Sequence, residues 1–94
     1  MKHSRVDEIL VITQEECAEV IQVISKMIRF GIGHEHVSSG KGTNVDKLNQ
    51  EVGDLQVMLD LLQEEGILDP ANLAEAKQRK IDKLKVWSNI YKDK

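Results

Sequence analysis

Two stretches of this sequence place acidic residues inside an apolar helical face. Glu16-Cys-Ala-Glu-Val-Ile-Gln-Val-Ile24 and Glu51-Val-Gly-Asp-Leu-Gln-Val-Met-Leu59 align without a gap, and their acidic and apolar positions match. When each stretch is projected as a helix at about 100° per residue, Glu16 and Glu51 both lie in the middle of an apolar stripe. Because carboxylates are almost never buried without a partner, the fold must pair these residues or hold a cation among them.

Three segments repeat apolar residues at intervals of three and four, which predicts amphipathic helices, and no segment alternates like a strand. The predicted helices run from about Val6 to Phe30, from about Asn44 to Glu65, and from Asp69-Pro70 to about Lys92. Thr43 or Asn44 is the expected N-cap of the second helix, and Asp69 before Pro70 is the expected N-cap of the third.

The length and composition favour one small all-α domain covering residues 1–94. Hydrophobic residues make up 40% of the chain, but it has only one Phe, one Trp and one Tyr, which favours aliphatic helix packing over a β-sandwich. Three long helices shield a shared core incompletely. We therefore expect an antiparallel helical bundle that is completed by homodimerisation.

Charge and cysteine content narrow the class of protein. Thirteen basic against 16 acidic residues give a net charge of −3, which argues against a nucleic-acid partner. No apolar run approaches the length of a membrane span, and no secretory leader is apparent, so no membrane partner is expected. The lone Cys17, expected as a small buried residue, cannot form an internal disulfide, which fits a reducing cytoplasm.

The acidic residues form two matched pairs, Glu16 with Glu19 and Glu51 with Asp54. Glu19 and Asp54 each lie at about 300° from the first member of their pair, on the same side of the apolar stripe. Glu15 lies further out, at about 260°, and is either a metal ligand, a neighbour of one or a solvated surface residue. Several hard oxygen donors in one place suit Mg²⁺, with Mn²⁺ as a substitute, so the sequence predicts a metal-assisted phosphate site. Salt bridges between helices are the alternative.

Basic residues are available to meet phosphates. On the third helix Lys77 and Lys80 project to the apolar side and Lys83 flanks them, so that they are either counter-ions of the carboxylates or ligands of a polyphosphate. Trp87 either contacts a base or belongs to the core or an interface. Lys41 lies in the glycine-rich segment from Gly31 to Thr43, which is expected either to close over a nucleotide or to be a plain connector.

Glu15-Glu-x-x-Glu19 and Glu51-x-x-Asp54 resemble the motif of the MazG-type, all-α nucleoside triphosphate pyrophosphohydrolases, over the stretch from about Val11 to Trp87. The resemblance implies that Glu16, Glu19, Glu51 and Asp54 bind Mg²⁺ and carry the catalysis. It also implies cleavage of a (deoxy)nucleoside triphosphate between its α- and β-phosphates, to a monophosphate and pyrophosphate, in the sanitisation of nucleotide pools. The fold implied is a helical bundle completed by a second copy, with a dimer of dimers as a further option.

The sequence departs from the family pattern at two places. The stretch from Val20 to Gln50 is longer than usual, and Lys80 is followed by Ile-Asp-Lys-Leu-Lys85 where relatives often have Asn and then Arg. Two alternatives stay open. One is a narrower relative, such as a phosphoribosyl-ATP or dUTP/dCTP pyrophosphatase. The other is a non-catalytic helical protein whose acidic faces bind a partner.

Overall fold

The computed structural model describes residues 4–33 and 42–92, and in these residues the chain forms three α-helices and no strand. α1 is Arg5–Phe30, α2 is Asn44–Glu64 and α3 is Pro70–Trp87. The predicted all-α class and the predicted order of the helices are confirmed.

Side-chain caps determine where the first two helices begin. The Ser4 side chain accepts a hydrogen bond from the Asp7 amide, and the Asp7 carboxylate accepts one from the Ser4 amide in return. Thr43, rather than Asn44, is the N-cap of α2 and forms the same reciprocal arrangement with Asp46. Both boxes satisfy amides that the first turn of a helix leaves unpaired.

The start of α3 was predicted correctly and its end was not. The Asp69 side chain caps the helix and Pro70 occupies its first turn, as expected. The helix ends at Trp87 instead of near Lys92, because Ser88 adopts an extended backbone and its hydroxyl donates to the Leu84 carbonyl at 2.7 Å. A short serine side chain that bonds to the preceding turn competes with continuation of the helix.

α1 and α2 form an antiparallel hairpin whose two ends are both tied. At one end Arg5 Nε lies 3.4 Å from Glu65 Oε2, and at the other end the Asn44 side-chain amide donates to the Gly31 carbonyl at 3.2 Å. The core between the helices consists of Ile9, Met58 and Leu62, with Ile12, Leu61 and Leu68 packed around it. Val23 is also buried, further along α1.

α3 adds little to this core. None of its residues is buried, and its Leu73 and Lys77 line a cleft together with Leu68 and part of α2. The radius of gyration is 16.6 Å. A compact chain of this length has about 12 Å, so the described chain is a hairpin with a largely exposed third helix.

The hairpin leaves a second apolar seam of α1 uncovered, at about 80° to 140° from Glu16 in helical projection. We call it the α1 seam, and it consists of Leu10, Cys17, Ile21, Ile24 and Ile28. Ile28 is 80% exposed. The expectation that Cys17 is buried was therefore wrong, and Ile24 belongs to this seam rather than to the core. None of the described helices combines the length and apolar character needed to cross a membrane.

Asn44 is the most buried side chain described, with 1% of its surface exposed, and it joins the start of α2 to the end of α1. We predict that Asn44→Ala lowers the free energy of unfolding by about 1 to 3 kcal/mol, because it removes a buried hydrogen bond and leaves a void. Urea titration followed by circular dichroism measures the change.

Asn49→Ala is the matched control, since Asn49 is exposed and its amide bonds only to the Val45 carbonyl within α2. Its expected effect stays within about 0.5 kcal/mol. Equal losses from the two variants would contradict the anchoring role of Asn44.

Candidate metal centre

The antiparallel hairpin brings carboxylates of α1 and α2 together from opposite sides. One oxygen each of Glu16, Glu51 and Asp54 lies within 4.8 Å of the other two. Because Glu51 and Asp54 are three residues apart on α2, they project from adjacent turns of the same face, towards Glu16 on α1. We call these three residues the acidic cluster.

Glu51 is the buried member of the acidic cluster. Its side chain is only 8% exposed, and its Oε1 accepts a hydrogen bond at 2.9 Å from the Nζ of Lys47, one turn earlier on α2. The Lys47 side chain is 37% exposed, so that its stem lies along the helix and its ammonium lies at the edge of the cluster. The buried carboxylate is thereby paired, as burial of a charge requires.

The acidic surroundings of Lys47 act on its protonation. The hydrogen bond to Glu51 is the main reason that the pKa of Lys47 is raised, and the charge of Glu51 adds to it, against a smaller opposing effect of desolvation. Glu19 and Asp54 raise the pKa of Lys47 further through space. Its ammonium therefore stays charged and faces carboxylates from both helices.

The crowding of negative charges changes the pKa of Glu16. Desolvation raises the pKa of Glu16 above its ordinary value, and the negative charges of Asp54, Glu51, Glu19 and Glu15 raise it further. One ammonium does not neutralise this set of carboxylates, so the cluster keeps an excess of negative charge. An added cation would relieve it.

The donor set fits a small hard cation. Mg²⁺ binds oxygens at about 2.1 Å in an octahedron, which places neighbouring donors about 3 Å apart and opposite donors about 4.2 Å apart. Three carboxylate oxygens within 4.8 Å of one another are close to this spacing. They would leave the remaining positions to water or to phosphate oxygens, as is usual for Mg²⁺.

The other predicted acidic residues lie around the cluster. Glu19 is exposed and is not one of the three residues whose oxygens converge, although its charge acts on both Glu16 and Lys47. Glu15 is exposed and acts on Glu16 through space. Their predicted roles as ligands stay predictions.

Within the part of the single chain that the structure describes, the predicted basic and aromatic residues of α3 make no contact with the acidic cluster. Lys77 lines the cleft beside Gln56 and Asp60, on a different face of α2 from Glu51. Lys80 and Lys83 are exposed and form no ion pair with another residue of 4–33 or 42–92. Trp87 is 84% exposed. Their roles in substrate binding stay predictions.

Lys41 and most of the Gly31 to Thr43 segment lie outside the described residues. The predicted contact of Lys41 with phosphate and the predicted closure of this segment over a nucleotide are therefore not addressed by the structure.

Lys47 was missed in the sequence. The residues expected as counter-ions lie on α3, although the spacing within α2 itself already places Lys47 beside Glu51. In helical projection Lys47 lies at about 320° from Glu51, between Asp54 and Glu51, and the four-residue spacing to Glu51 is that of a helical ion pair.

Comparison with known proteins adds no identification, since no family model, no curated protein and no solved structure matches the chain. The sequence pattern and the geometry of the hairpin therefore carry the functional argument.

The raised pKa of Glu16 predicts how stability depends on pH. A proton bound to Glu16 favours the folded state, so this contribution is complete below the ordinary value of 4.5 and is lost as the pH rises through the raised pKa. We predict that Glu16→Gln, which mimics the protonated form, melts like the wild type at acid pH and above it at pH 7 to 8 in metal-free buffer.

Thermal melting followed by circular dichroism in a chelator measures this difference. Glu75→Gln on the exposed surface of α3 is the control, and its melting temperature should track the wild type at every pH. A lower melting temperature of Glu16→Gln at pH 8 would show that Glu16 is not repelled by its neighbours.

Proposed function

We propose that the chain is a Mg²⁺-dependent nucleoside triphosphate pyrophosphohydrolase of the MazG type. It would hydrolyse a (deoxy)nucleoside triphosphate between the α- and β-phosphates, to a monophosphate and pyrophosphate, and act in the sanitisation of nucleotide pools. The observation that carries the proposal is the convergence of Glu16, Glu51 and Asp54 from two helices in matched register. Mn²⁺ is the expected substitute ion.

The chemistry needs no protein nucleophile. A divalent ion at the cluster would activate a water molecule and neutralise phosphate charge. The chain's own part is to hold that ion with the acidic cluster and to take up the proton of the attacking water on a nearby carboxylate. The water oxygen forms the new bond to phosphorus, and pyrophosphate leaves with the electrons of the broken bond.

A homodimer is the second part of the proposal, and its support is the α1 seam. The seam runs from Leu10 to Ile28, a length of about 27 Å at 1.5 Å per residue. Because α1 and α2 are antiparallel, the exposed Val45 of α2 lies on the same side of the hairpin, as does Leu59, which also lines the cleft beside α3. A second copy presents an identical apolar face, which makes a self-complementary interface.

The exposed α3 fits the same assembly. Its lysines, Lys77, Lys80 and Lys83, do not reach the acidic cluster of their own hairpin within the described residues. In the proposed dimer α3 packs against the second copy, where these lysines complete the phosphate site. A dimer of dimers remains an extension of this proposal that only the mass in solution tests.

Measurements of nucleotide hydrolysis distinguish this proposal from its two alternatives. A non-catalytic interaction protein would share the α1 seam but would hydrolyse no nucleotide. A phosphoribosyl-ATP or dUTP/dCTP pyrophosphatase would share the acidic cluster and the products. No contact in residues 4–33 and 42–92 favours a particular base, so a panel of nucleotides is the discriminating substrate set.

We predict Mg²⁺-dependent release of pyrophosphate and a nucleoside monophosphate from at least one canonical or damaged nucleoside triphosphate. Asp54→Asn and Glu16→Gln should each reduce kcat at least about 100-fold while the helical spectrum is kept, because each removes a donor for the ion that stabilises charge in the transition state. Chromatographic separation of the products with all four deoxynucleotides, all four ribonucleotides and a set of damaged nucleotides measures this.

Glu75→Gln, which changes the net charge equally on the exposed surface of α3, is the control and should be fully active. Nucleoside diphosphate as the main product would exclude this reaction, and wild-type turnover in both cluster variants would exclude this site.

We predict that the chain sediments as a dimer at micromolar concentration and that Ile28→Glu converts it to a monomer, because a charge in the α1 seam cannot be buried unpaired. Val11→Glu is the matched control, since Val11 is exposed outside the α1 seam, about 100° from Ile28 in helical projection, and the change in charge is the same. Sedimentation equilibrium measures the masses.

The thiol of Cys17 is a second probe of the same interface, because it lies within the seam and is exposed in the single chain. Its rate of reaction with a disulfide reagent should fall as the protein concentration rises. A rate independent of concentration together with a monomeric mass would contradict the dimer.

A further inference from the structure

Lys47 is a cation that the fold already supplies to the acidic cluster. Its ammonium lies 2.9 Å from Glu51 Oε1, and the charges of Glu19 and Asp54 act on it as well. Lys47 and Glu51 share one face of α2, so the ion pair forms within the helix and does not depend on α3 or on a second copy. The proposed metal ion and Lys47 would therefore compete for the charge of the same carboxylate.

We propose that Lys47 is the resident counter-ion of the metal site, which a divalent cation displaces from Glu51 when it binds. This inference rests on the proposed function, since it assigns to the proposed metal site a built-in competitor. In the metal-free protein the ammonium keeps the buried Glu51 carboxylate paired. When the ion binds, Glu51 exchanges the ammonium for the metal.

The geometry allows the exchange. The Lys47 side chain is more than a third exposed, so its flexible stem can carry the ammonium into solvent without disturbing the hairpin. The Glu51 carboxylate is held in the helix pair and cannot follow it. Movement of Lys47, and not of Glu51, is therefore the change that accompanies binding.

The exchange has a measurable consequence for affinity. Lys47 competes for the carboxylate and, once displaced, still repels the divalent ion. Across about 6 Å of aqueous dielectric, repulsion between a single and a double positive charge weakens binding about tenfold. Removal of the ammonium should therefore strengthen metal binding by about that factor, whereas loss of an ordinary structural or ligating residue would weaken it.

The test measures the affinity of the intact chain for Mn²⁺ alone, without nucleotide, by calorimetry or by the spin-resonance signal of free Mn²⁺ at pH 8 and low ionic strength. Lys47→Met keeps the length of the apolar stem, and Lys47→Gln is a second neutral variant in case the first folds poorly. Both should bind Mn²⁺ about tenfold more tightly than the wild type. At 0.5 M salt the difference should shrink, because the repulsion is screened.

Two control variants test whether the effect comes from the positive charge at position 47 and not from the net charge of the protein. Lys47→Arg retains the positive charge and should bind Mn²⁺ like the wild type. Lys85→Met removes one positive charge from the exposed end of α3 and should change the affinity less than twofold. Without metal, Lys47→Met should melt below the wild type, and saturating Mn²⁺ should raise its melting temperature by more than it raises that of the wild type.

The outcomes separate this inference from the proposed function. If the wild type binds Mn²⁺, Glu51→Gln abolishes that binding and neither neutral Lys47 variant binds more tightly, the exchange is wrong and the metal site stands. If the wild type and all variants, Glu51→Gln included, bind no Mn²⁺, the metal site is wrong and the exchange falls with it.

Discussion

The buried carboxylate of Glu51 is the constraint on which the arrangement of the hairpin depends. An ionised group between two helices has to be compensated, and the chain does so with Lys47 from the preceding turn of the same helix. Compensation is incomplete, because Glu16 and Asp54 converge on the same point. The chain therefore keeps a partly buried group of charged residues between α1 and α2, at a place where apolar residues could pack. Replacing a buried ion pair by well-packed apolar residues is often neutral or stabilising, so stability alone does not explain why Glu51 is an ionised residue.

The placement of the core explains how the hairpin tolerates this centre. Ile9, Met58 and Leu62 pack on the side of the cluster where α1 begins and α2 ends, and the Asn44 bond to Gly31 closes the opposite end. Reciprocal capping boxes hold the first turn of each helix. The α1 seam is left exposed by the chain's own residues in 4–33 and 42–92, and α3 buries none of its own side chains. A chain of this length has a small core. The exposed apolar face of α1 is therefore a substantial part of the apolar surface that the chain could bury to gain stability.

The sequence predicted the local features well and the long-range ones less well. Helix starts were readable because Thr43, Asp69 and Pro70 act through their own turn, and the acidic register was readable because it repeats within each helix. Lys47 was overlooked because the counter-ion was sought across helices rather than one turn away. The position of α3 and the exposure of Cys17 depend on which neighbours cover which side of a helix. Periodicity gives the width of an apolar stripe, but it does not show that the stripe of α1 is divided between a core side and an uncovered seam.

The core, the helix caps and the Asn44 bond lie apart from the acidic cluster. Substitutions in the cluster can therefore change metal binding without removing the contacts that hold the hairpin together. Glu16 is half-buried and repelled by its neighbours. The substitution Glu16→Gln therefore removes a repelled charge from the folded chain and does not open a void. The helix pair keeps its core, its caps and the Asn44 bond when a carboxylate becomes an amide. A loss of metal binding or turnover in such a variant therefore reports on the chemistry of the site and not on folding. Glu51 is the exception, because its buried amide would leave Lys47 without its partner, and the affinity of that variant has to be read together with its melting temperature.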